Sequence, residues 1–405
     1  MVAPPSILDD IAAHEPPDVY RVMVVDDSAF IRGAITRALS GDPHLKVTAS
    51  ASNGEYALRM LEREPVDVVV LDIEMPVMDG LTALPKLKAI DPQVQIIMAS
   101  TLTQKNAEIS LRALSLGAAD YIPKPSSSQE VLSLDTFKYD LVTKVKALGS
   151  LARRFGVRGP YLKLEGAAAP LPAKTQPARQ EAVAPEGEPV KAFILPPYGA
   201  KLDVSLRRDP LIRPDIIAIG SSTGGPQALF RVIKDMGGNL PQPVVITQHM
   251  PQSFTKILAE HISNQCGVAC REGIDGEPLV AGRYYIAPGD YHMTVERKGA
   301  VPTISLNKNP PENFCRPAVD PMLRSLVTVY GARILMVMLT GMGQDGAKGS
   351  DAVVRAGGGV IAQDEKTSVV WGMPGAVAML GLCSAVLPLG EIGGFVRQTA
   401  LRIRS

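Results

Sequence analysis

The sequence predicts an α/β protein of two domains, each built on a parallel sheet, joined by a long tether without regular structure. Three observations carry this. Short β-rich runs alternate with segments of helical period from Tyr20 to about Leu148 and again from Pro214 onward. Strands alternating with helices give parallel sheets covered on both faces. The run VDVVVLD, Val66 to Asp72, is apolar on both faces, as a central parallel strand must be. Between the alternating regions, residues 159–201 hold eight prolines and nine alanines without a period, which is linker composition. The expected layout is an extension over residues 1–19, a first domain over 20–148, a linker over 149–213 and a second domain over 214–405.

In the first domain five strands are expected, at Val22–Val25, Val47–Ala51, Val66–Leu71, Gln95–Ala99 and Tyr121–Ile122. In the second, Ile216–Ile219, Val244–Thr247, Ile334–Leu339 and Val360–Ala362 read as strands. Gln227–Met236, Phe254–Cys266, Pro317–Tyr330 and Gly346–Ala356 read as helices between them, which makes a doubly wound sheet. Arg283–Ala287, Tyr291–Arg297 and Thr303–Asn307 are expected to form a β excursion outside that alternation.

Composition narrows the function. A chain of 405 residues accommodates two or three domains at roughly 150 residues each. With 42 basic and 41 acidic residues the net charge is +1, so no global field attracts nucleic acid or an anionic membrane. The four cysteines, Cys266, Cys270, Cys315 and Cys383, form no C-x-x-C pair and no disulfide framework. A reduced, cytoplasmic chain fits best. Cys266 and Cys270, one helical turn apart, read as packing rather than as half of a metal site. The N-terminus has no basic n-region or long apolar h-region, and no apolar run approaches the ~18 residues of a membrane span. From Lys146 to Ile212 there are 11 basic and 6 acidic residues, read as a solvated tether.

Ligand sites of an open parallel sheet lie at the carboxyl ends of its strands. In the first domain Asp26 and Asp27 follow the first strand, Asp72 ends the third, Ser100 follows the fourth and Lys124 follows the fifth. Carboxylates gathered on one edge repel unless a cation bridges them, and an all-oxygen set suits Mg²⁺. Asp72 could then accept a phosphoryl group as an acyl phosphate, with Ser100 hydrogen-bonding it. VMVVDDSAFIR, VVLDIEMPVMDG, IIMAS and YIPKP together resemble a response-regulator receiver domain, of flavodoxin-like fold, over about 130 residues. The resemblance implies that Asp72 is the phospho-acceptor. It also implies that Asp27, Asp72 and the Glu74 carbonyl hold Mg²⁺ with Asp26 supporting through water, and that Ser100, Tyr121 and Lys124 form the switch.

The second domain opens with IIAIGSSTGGPQALF, a strand, a Gly/Ser-rich turn and a helix. A serine there sits at the positive end of a helix, but such a turn also binds phosphate, and on this stretch alone the two readings are equal. The G-x-G-x-x-G and P-loop patterns are missing. His249 and Asp345 each follow a later strand, so a nucleophile, a base and a carboxylate can meet on one edge. The chain order Ser…His…Asp is not that of α/β hydrolases. His14, His44 and His261 read as non-functional, and His292 as a rim or structural residue.

IGSSTGGPQAL, ITQHMP, YIAPGDYHM, FCRPAVDPML, LTGMGQDGAKG and WGMPGAV resemble, in order, the catalytic domain of the chemotaxis protein-glutamate methylesterases (CheB). The resemblance implies Ser222 as nucleophile, His249 as base, Asp345 as acid, and an oxyanion hole near Met342 and Thr223. Ser221 stands where the family usually has alanine, which leaves open which hydroxyl reacts. It further implies hydrolysis of glutamate γ-methyl esters, and deamidation of glutamines, on the cytoplasmic domains of chemoreceptors. A chemotaxis histidine kinase would be the phosphodonor, and no cofactor is expected for the esterase. A monomer is the default, without nucleic acid or direct membrane insertion. A tether of about 60 residues spans roughly 40 Å, so inhibition of the esterase by the receiver is expected to be weaker than with a short linker. A receiver joined to a different serine hydrolase, or to a phosphate-binding module, are the rival readings.

Overall fold

The computed structural model describes residues 19–101, 103–124, 131–153, 204–210 and 212–402. The N-terminal extension and most of the expected linker lie outside them. The first domain alternates β1 (Tyr20–Val25), α1 (Ala29–Ser40), β2 (Leu45–Ala51), α2 (Gly54–Arg63), β3 (Val68–Asp72), α3 (Gly80–Ile90), β4 (Gln95–Ser100), α4 (Gln104–Ser115), β5 (Asp120–Pro123) and α5 (Val131–Arg153). Its sheet is parallel throughout, in the order β2-β1-β3-β4-β5. All five residues of β3 are buried, as the apolar run requires. Helices α1 to α4 begin where a short polar side chain takes up an unpaired backbone N–H. Ser28, Asn53, Asp79 and Thr103 accept from Ile31, Tyr56, Thr82 and Asn106 at 3.4, 3.0, 2.7 and 3.2 Å. The strand order reverses between β1 and β3, so Asp26, Asp27 and Asp72 emerge together at the switch point.

The second domain runs β6 (Ile216–Ser221), α6 (Gly225–Met236), β7 (Val244–Gln248), α7 (Gln252–Cys266), β8 (Ala269–Glu272), β9 (Arg283–Ile286), β10 (His292–Lys298), β11 (Val301–Asn307), α8 (Val319–Tyr330), β12 (Ile334–Met338), α9 (Ala347–Arg355), β13 (Gly359–Gln363), α10 (Met373–Met379), β14 (Ala385–Leu387) and α11 (Leu389–Ala400). Seven parallel strands are ordered β14-β13-β12-β6-β7-β9-β8. β6 therefore lies between β7 and β12, although the chain visits β12 more than a hundred residues later. The expected excursion is corrected in part. Arg283–Ile286 is a strand of the main sheet, with Tyr284 and Tyr285 both fully buried, and only β10 and β11 form a separate antiparallel hairpin. β8, α10, β14 and α11 had no clear sequence signal. α11 carries Gly393 and Gly394, poor helix formers, and its packing on α6 supplies what propensity lacks.

The domains touch through α4, which packs on α7 and α6. Tyr121 of β5 stacks on Phe254 of α7, with centroids 4.3 Å apart and planes 12° apart. Gln227 of α6 donates through Nε2 to the Ala118 carbonyl at 2.8 Å. Residues 204–210 lie along the second domain: the Arg207 N–H donates to Cys383 O at 2.8 Å, and Asp209 pairs with Arg402 at 2.6 Å. Among the described residues, no helix is long and apolar enough to cross a membrane.

Candidate active site

In the first domain, the carboxylates of Asp26, Asp27 and Asp72 offer oxygens within 4.8 Å of one another. Lys124 reaches Asp26 at 2.6 Å and Asp72 at 2.5 Å. Burial pushes Asp72 up to about 6 against the pull of Lys124, and Asp26 adds to the rise. This is the electrostatic signature of a crowded acidic site that a cation would relieve, and its hard oxygen donors fit Mg²⁺. Glu74 lines an adjoining open cleft of about 440 Å³ with Asp27, Asp79 and Lys105, and its carboxylate pairs with Lys105 at 3.0 Å. Ser100 is buried beneath the site and accepts a hydrogen bond from Ser110 at 3.1 Å. Tyr121 faces the other domain.

In the second domain, Ser222, His249 and Asp345 lie beyond the carboxyl ends of β6, β7 and β12, three neighbouring strands. Ser222 begins the turn into α6. Its N–H donates to Thr340 O at 3.0 Å, and its carbonyl accepts from the Gly225 N–H at 2.7 Å. The turn needs its glycines. Gly224 has φ +72, and a Cβ there would lie 2.5 Å from a Val369 methyl. The backbone after β12 also approaches Ser222 closely: a Cβ on Gly341 would stand 2.9 Å from Ser222 Cβ. Thr223 and Met342 thus flank Ser222 from two loops, Thr223 buried and Met342 half-buried.

Ser221 is fully buried and donates to Gln248 Oε1 at 2.6 Å. Gln248 in turn donates from Nε2 to the Ser222 carbonyl at 2.9 Å. The Ser221 hydroxyl is therefore a bracing group between β6 and β7.

Asp345 is buried, and its carboxylate accepts four hydrogen bonds. Oδ2 takes His249 Nε2 at 2.7 Å and the Val319 N–H at 2.6 Å, and Oδ1 takes the Asp320 N–H at 3.2 Å and Asn313 Nδ2 at 3.1 Å. Val319 and Asp320 open α8, whose N-cap Ala318 has no capping side chain. Asp345 thus supplies a cap and a negative charge at the positive end of the helix. Burial works against its charge, but His249 and these N–H groups outweigh it and hold the carboxyl below its usual range.

His249 follows β7, and its N–H donates to Ser221 O at 3.1 Å. Burial opposes charge on its ring, but Cys315 and Asp345 outweigh it and push it up to about 10. Its second nitrogen, Nδ1, lies 3.4 Å from Cys315 Sγ. Among the described residues no hydrogen bond joins Ser222 Oγ to the ring.

The CheB methylesterase family matches residues 217–396, and the response regulator receiver domain family matches residues 22–134. The protein-glutamate methylesterase/protein-glutamine glutaminase of group 2 operon from Rhodospirillum centenum is 59% identical over 389 residues, 95% of each chain. This chain belongs to the CheB methylesterase family. A protein-glutamate methylesterase/protein-glutamine glutaminase of Azospirillum brasilense is 57% identical over 386 residues, 95% of this chain and 94% of that one. The crystal structure of the Thermotoga maritima CheB methylesterase catalytic domain is 40% identical and covers 46% of this chain and 99% of that chain, with a TM-score of 0.45. A methylesterase domain behind a receiver makes the chain a response regulator with hydrolase activity, of the kind used in chemotaxis.

Sequence reasoning missed Asn313, Cys315 and Gln248, which touch Asp345, His249 and the Ser222 carbonyl. Asn313 precedes the FCRPAVD run and Cys315 lies within it, but no period or spacing distinguishes them from neighbours. His292 is structural: buried, it accepts the Ala318 N–H at Nδ1 (3.2 Å) and sits 3.1 Å from Pro310 O through Nε2.

Proposed function

We propose that this chain is a phosphorylation-controlled serine hydrolase that removes methyl groups from glutamate γ-methyl esters, and amides from glutamines, on chemoreceptor cytoplasmic domains. The observation that carries the reading is the carboxylate-held imidazole, His249 Nε2 to Asp345 at 2.7 Å, beside a serine at the head of α6. Asp345 fixes the proton on Nε2, which leaves Nδ1 as the basic nitrogen. His249 Nδ1 takes the proton of Ser222 Oγ as that oxygen attacks the ester carbonyl. The same proton then passes to the leaving methoxide, methanol departs, and water hydrolyses the acyl-enzyme by the reverse exchange. Backbone N–H groups at Thr223 and Met342 would receive the oxyanion, a contribution typically worth about 3–4 kcal/mol. With a γ-amide the leaving group is ammonia.

In the receiver, Asp72 would accept the phosphoryl group from a histidine kinase. Asp26, Asp27 and Asp72, with the Glu74 carbonyl, would hold Mg²⁺, which when bound neutralises the crowded negative charge. Ser100, Tyr121 and Lys124 would convert the new charge into a change at the domain boundary. Tyr121 stacks on Phe254, five residues after His249, so a movement of its ring disturbs the helix that follows the base.

The test is methanol release from methylated receptor membranes, with wild type and Ser222→Ala, each with and without acetyl phosphate and Mg²⁺. Release that requires Ser222 and rises with phosphodonor supports both halves. Release indifferent to phosphodonor removes the regulatory half. No release from receptor shown to be methylated removes the assigned substrate.

A further inference from the structure

Three consecutive residues link the receiver to the hydrolytic site. Their segment is pinned at both ends. Glu312 and Cys315 exchange backbone hydrogen bonds of 3.1 and 2.9 Å, and Glu312 pairs with Arg324 of α8. Arg316 binds Asp290 at 2.6 Å and the carbonyls of Lys308 and Asn309. Between these anchors Asn313 and Phe314 both have left-handed backbone, φ +51 and +63. Asparagine tolerates this region, but a bulky phenylalanine rarely enters it.

The left-handed pair turns Phe314 outward and its neighbours inward. Phe314 is 89% exposed. Asn313 Nδ2 donates to Asp345 Oδ1 and Asp320 Oδ2, at 3.1 and 3.2 Å, and Cys315 Sγ lies 3.4 Å from His249 Nδ1. Across the domain boundary the Phe314 ring lies 6.0 Å from that of Tyr139 on receiver helix α5. An exposed apolar side chain on strained backbone is unfavourable on both counts, and the ring of Tyr139, itself 60% exposed, makes a tilted contact that leaves Phe314 open to solvent.

The contact matters because of which nitrogen it engages. Asp345 holds Nε2, so Nδ1 must accept the proton of Ser222, and Nδ1 is where the Cys315 thiol sits. The titratable groups facing the ring are Cys315 and Asp345, with Asp320 behind Asp345. With Asp345 on Nε2 at 2.7 Å and Cys315 Sγ 3.4 Å from Nδ1, neither ring nitrogen is open to Ser222 in the resting chain, and both neighbours favour the charged ring.

We propose that Cys315 is a positioning residue of the esterase: it holds His249 Nδ1 in the resting chain, and receiver helix α5 keeps it there through Tyr139 and Phe314. This rests on the assignment of Ser222, His249 and Asp345 as the hydrolytic triad. Receiver control then acts on the base itself.

The experiment is the pH profile of kcat/KM for methyl-ester hydrolysis by the full-length chain, with and without acetyl phosphate and Mg²⁺. Each unit by which the base's pKa falls raises its neutral fraction at pH 7 about tenfold. Cys315→Ala is therefore expected to raise resting kcat/KM at pH 7 about tenfold, to move the acid limb to lower pH, and to reduce stimulation by phosphodonor. Cys315→Ser, whose hydroxyl cannot carry the negative charge by which Cys315 raises the ring, should shift resting activity and pH profile in the same direction as Cys315→Ala. Phe314→Ala and Tyr139→Ala, both at exposed positions, should raise resting activity and leave the phosphodonor-stimulated rate unchanged. Cys315→Ala with wild-type unfolding midpoint, unraised resting activity and an unshifted profile would overturn the positioning role. If Cys315→Ala does not fold, an unchanged resting rate in Phe314→Ala and Tyr139→Ala overturns the link to the receiver, and Cys315→Ser with the Cys315→Ala profile expected above supports the thiol contact. Activity remaining in Ser222→Ala would instead remove the triad assignment beneath the proposal.

Discussion

Replacing Asp345 with asparagine tests the site through its stability. The carboxylate accepts two hydrogen bonds on each oxygen, and an amide can accept on one side only. Its oxygen will take the Oδ2 position, where the contacts to His249 and Val319 are shorter. The NH₂ group then faces Asn313, which can turn its own amide, and the buried Asp320 N–H, which cannot move. Orphaning that N–H costs about 1–3 kcal/mol. Losing a negative charge at the N-terminus of α8 costs about 1 kcal/mol more, and the charge partner of His249 is lost as well. The first two add to about 2–4 kcal/mol, and with the broken buried pair the total reaches about 3–5 kcal/mol.

The loss carries a pH signature. His249 is raised in the fold, to about 10 from the ordinary 6.5, so its contribution is fully present below pH 6.5 and fades as pH rises through about 10. Asp345 is depressed, so its contribution is present above the unfolded value of 3.8 and fades as pH falls through the lower folded one. The difference between wild type and variant should therefore be greatest near pH 5–6.5 and shrink toward pH 10. Urea unfolding followed by Trp371 fluorescence reads this domain alone. Trp371 is the chain's single tryptophan, and its indole donates to Gln363 O at 2.9 Å. A difference under about 1 kcal/mol at pH 6, or one constant from pH 6 to 10, would refute the reasoning.

Ser221→Ala should keep esterase activity within about tenfold and cost about 1–3 kcal/mol in the same urea titration, because Gln248 Oε1 loses its donor. Ser222→Ala should lose turnover while unfolding like wild type. Tyr121→Ala removes a stacked pair worth about 0.5–1.5 kcal/mol beyond its buried area, so resting ester hydrolysis should rise a few-fold while the phosphodonor-stimulated rate changes little. Asp72 is raised to about 6 in the fold, so its ionisation lowers stability as pH climbs from 3.8 through 6. Asp72→Asn should stabilise the metal-free receiver by about 1–3 kcal/mol at pH 7–8, and the rise in the wild-type melting temperature given by Mg²⁺ should vanish below about pH 5.

Most of the fold was legible because parallel strands are short apolar runs between turns. The carboxyl end of such a run is where a polar residue becomes visible: Asp72 after VVVL, Ser222 after IIAIGS, His249 after VVITQ. What the runs do not reveal is which strands are neighbours. β12 lies beside β6 because the sheet reverses direction there, and that adjacency carries the Asp345 loop to His249. Arg283–Ile286 was misplaced for the same reason. Four residues followed by two hairpin strands look like one β meander until Tyr284 and Tyr285 are found buried on opposite faces of the main sheet.

The segment around Cys315 was illegible for a different physical reason. A strand or helix repeats its geometry, so its sequence repeats its pattern. The 312–316 segment is held by single contacts, each used once: a backbone pair between Glu312 and Cys315, an ion pair to Arg324 and a fork onto Asp290. Its left-handed residues are asparagine and phenylalanine rather than glycine, so even the usual mark of that backbone is missing. Strain at Phe314 is offset in part by its neighbours, since Asn313 and Cys315 find partners in Asp345 and His249. The segment's shape and the contacts of Asp345 and His249 are therefore coupled: whatever moves Phe314 must also alter them.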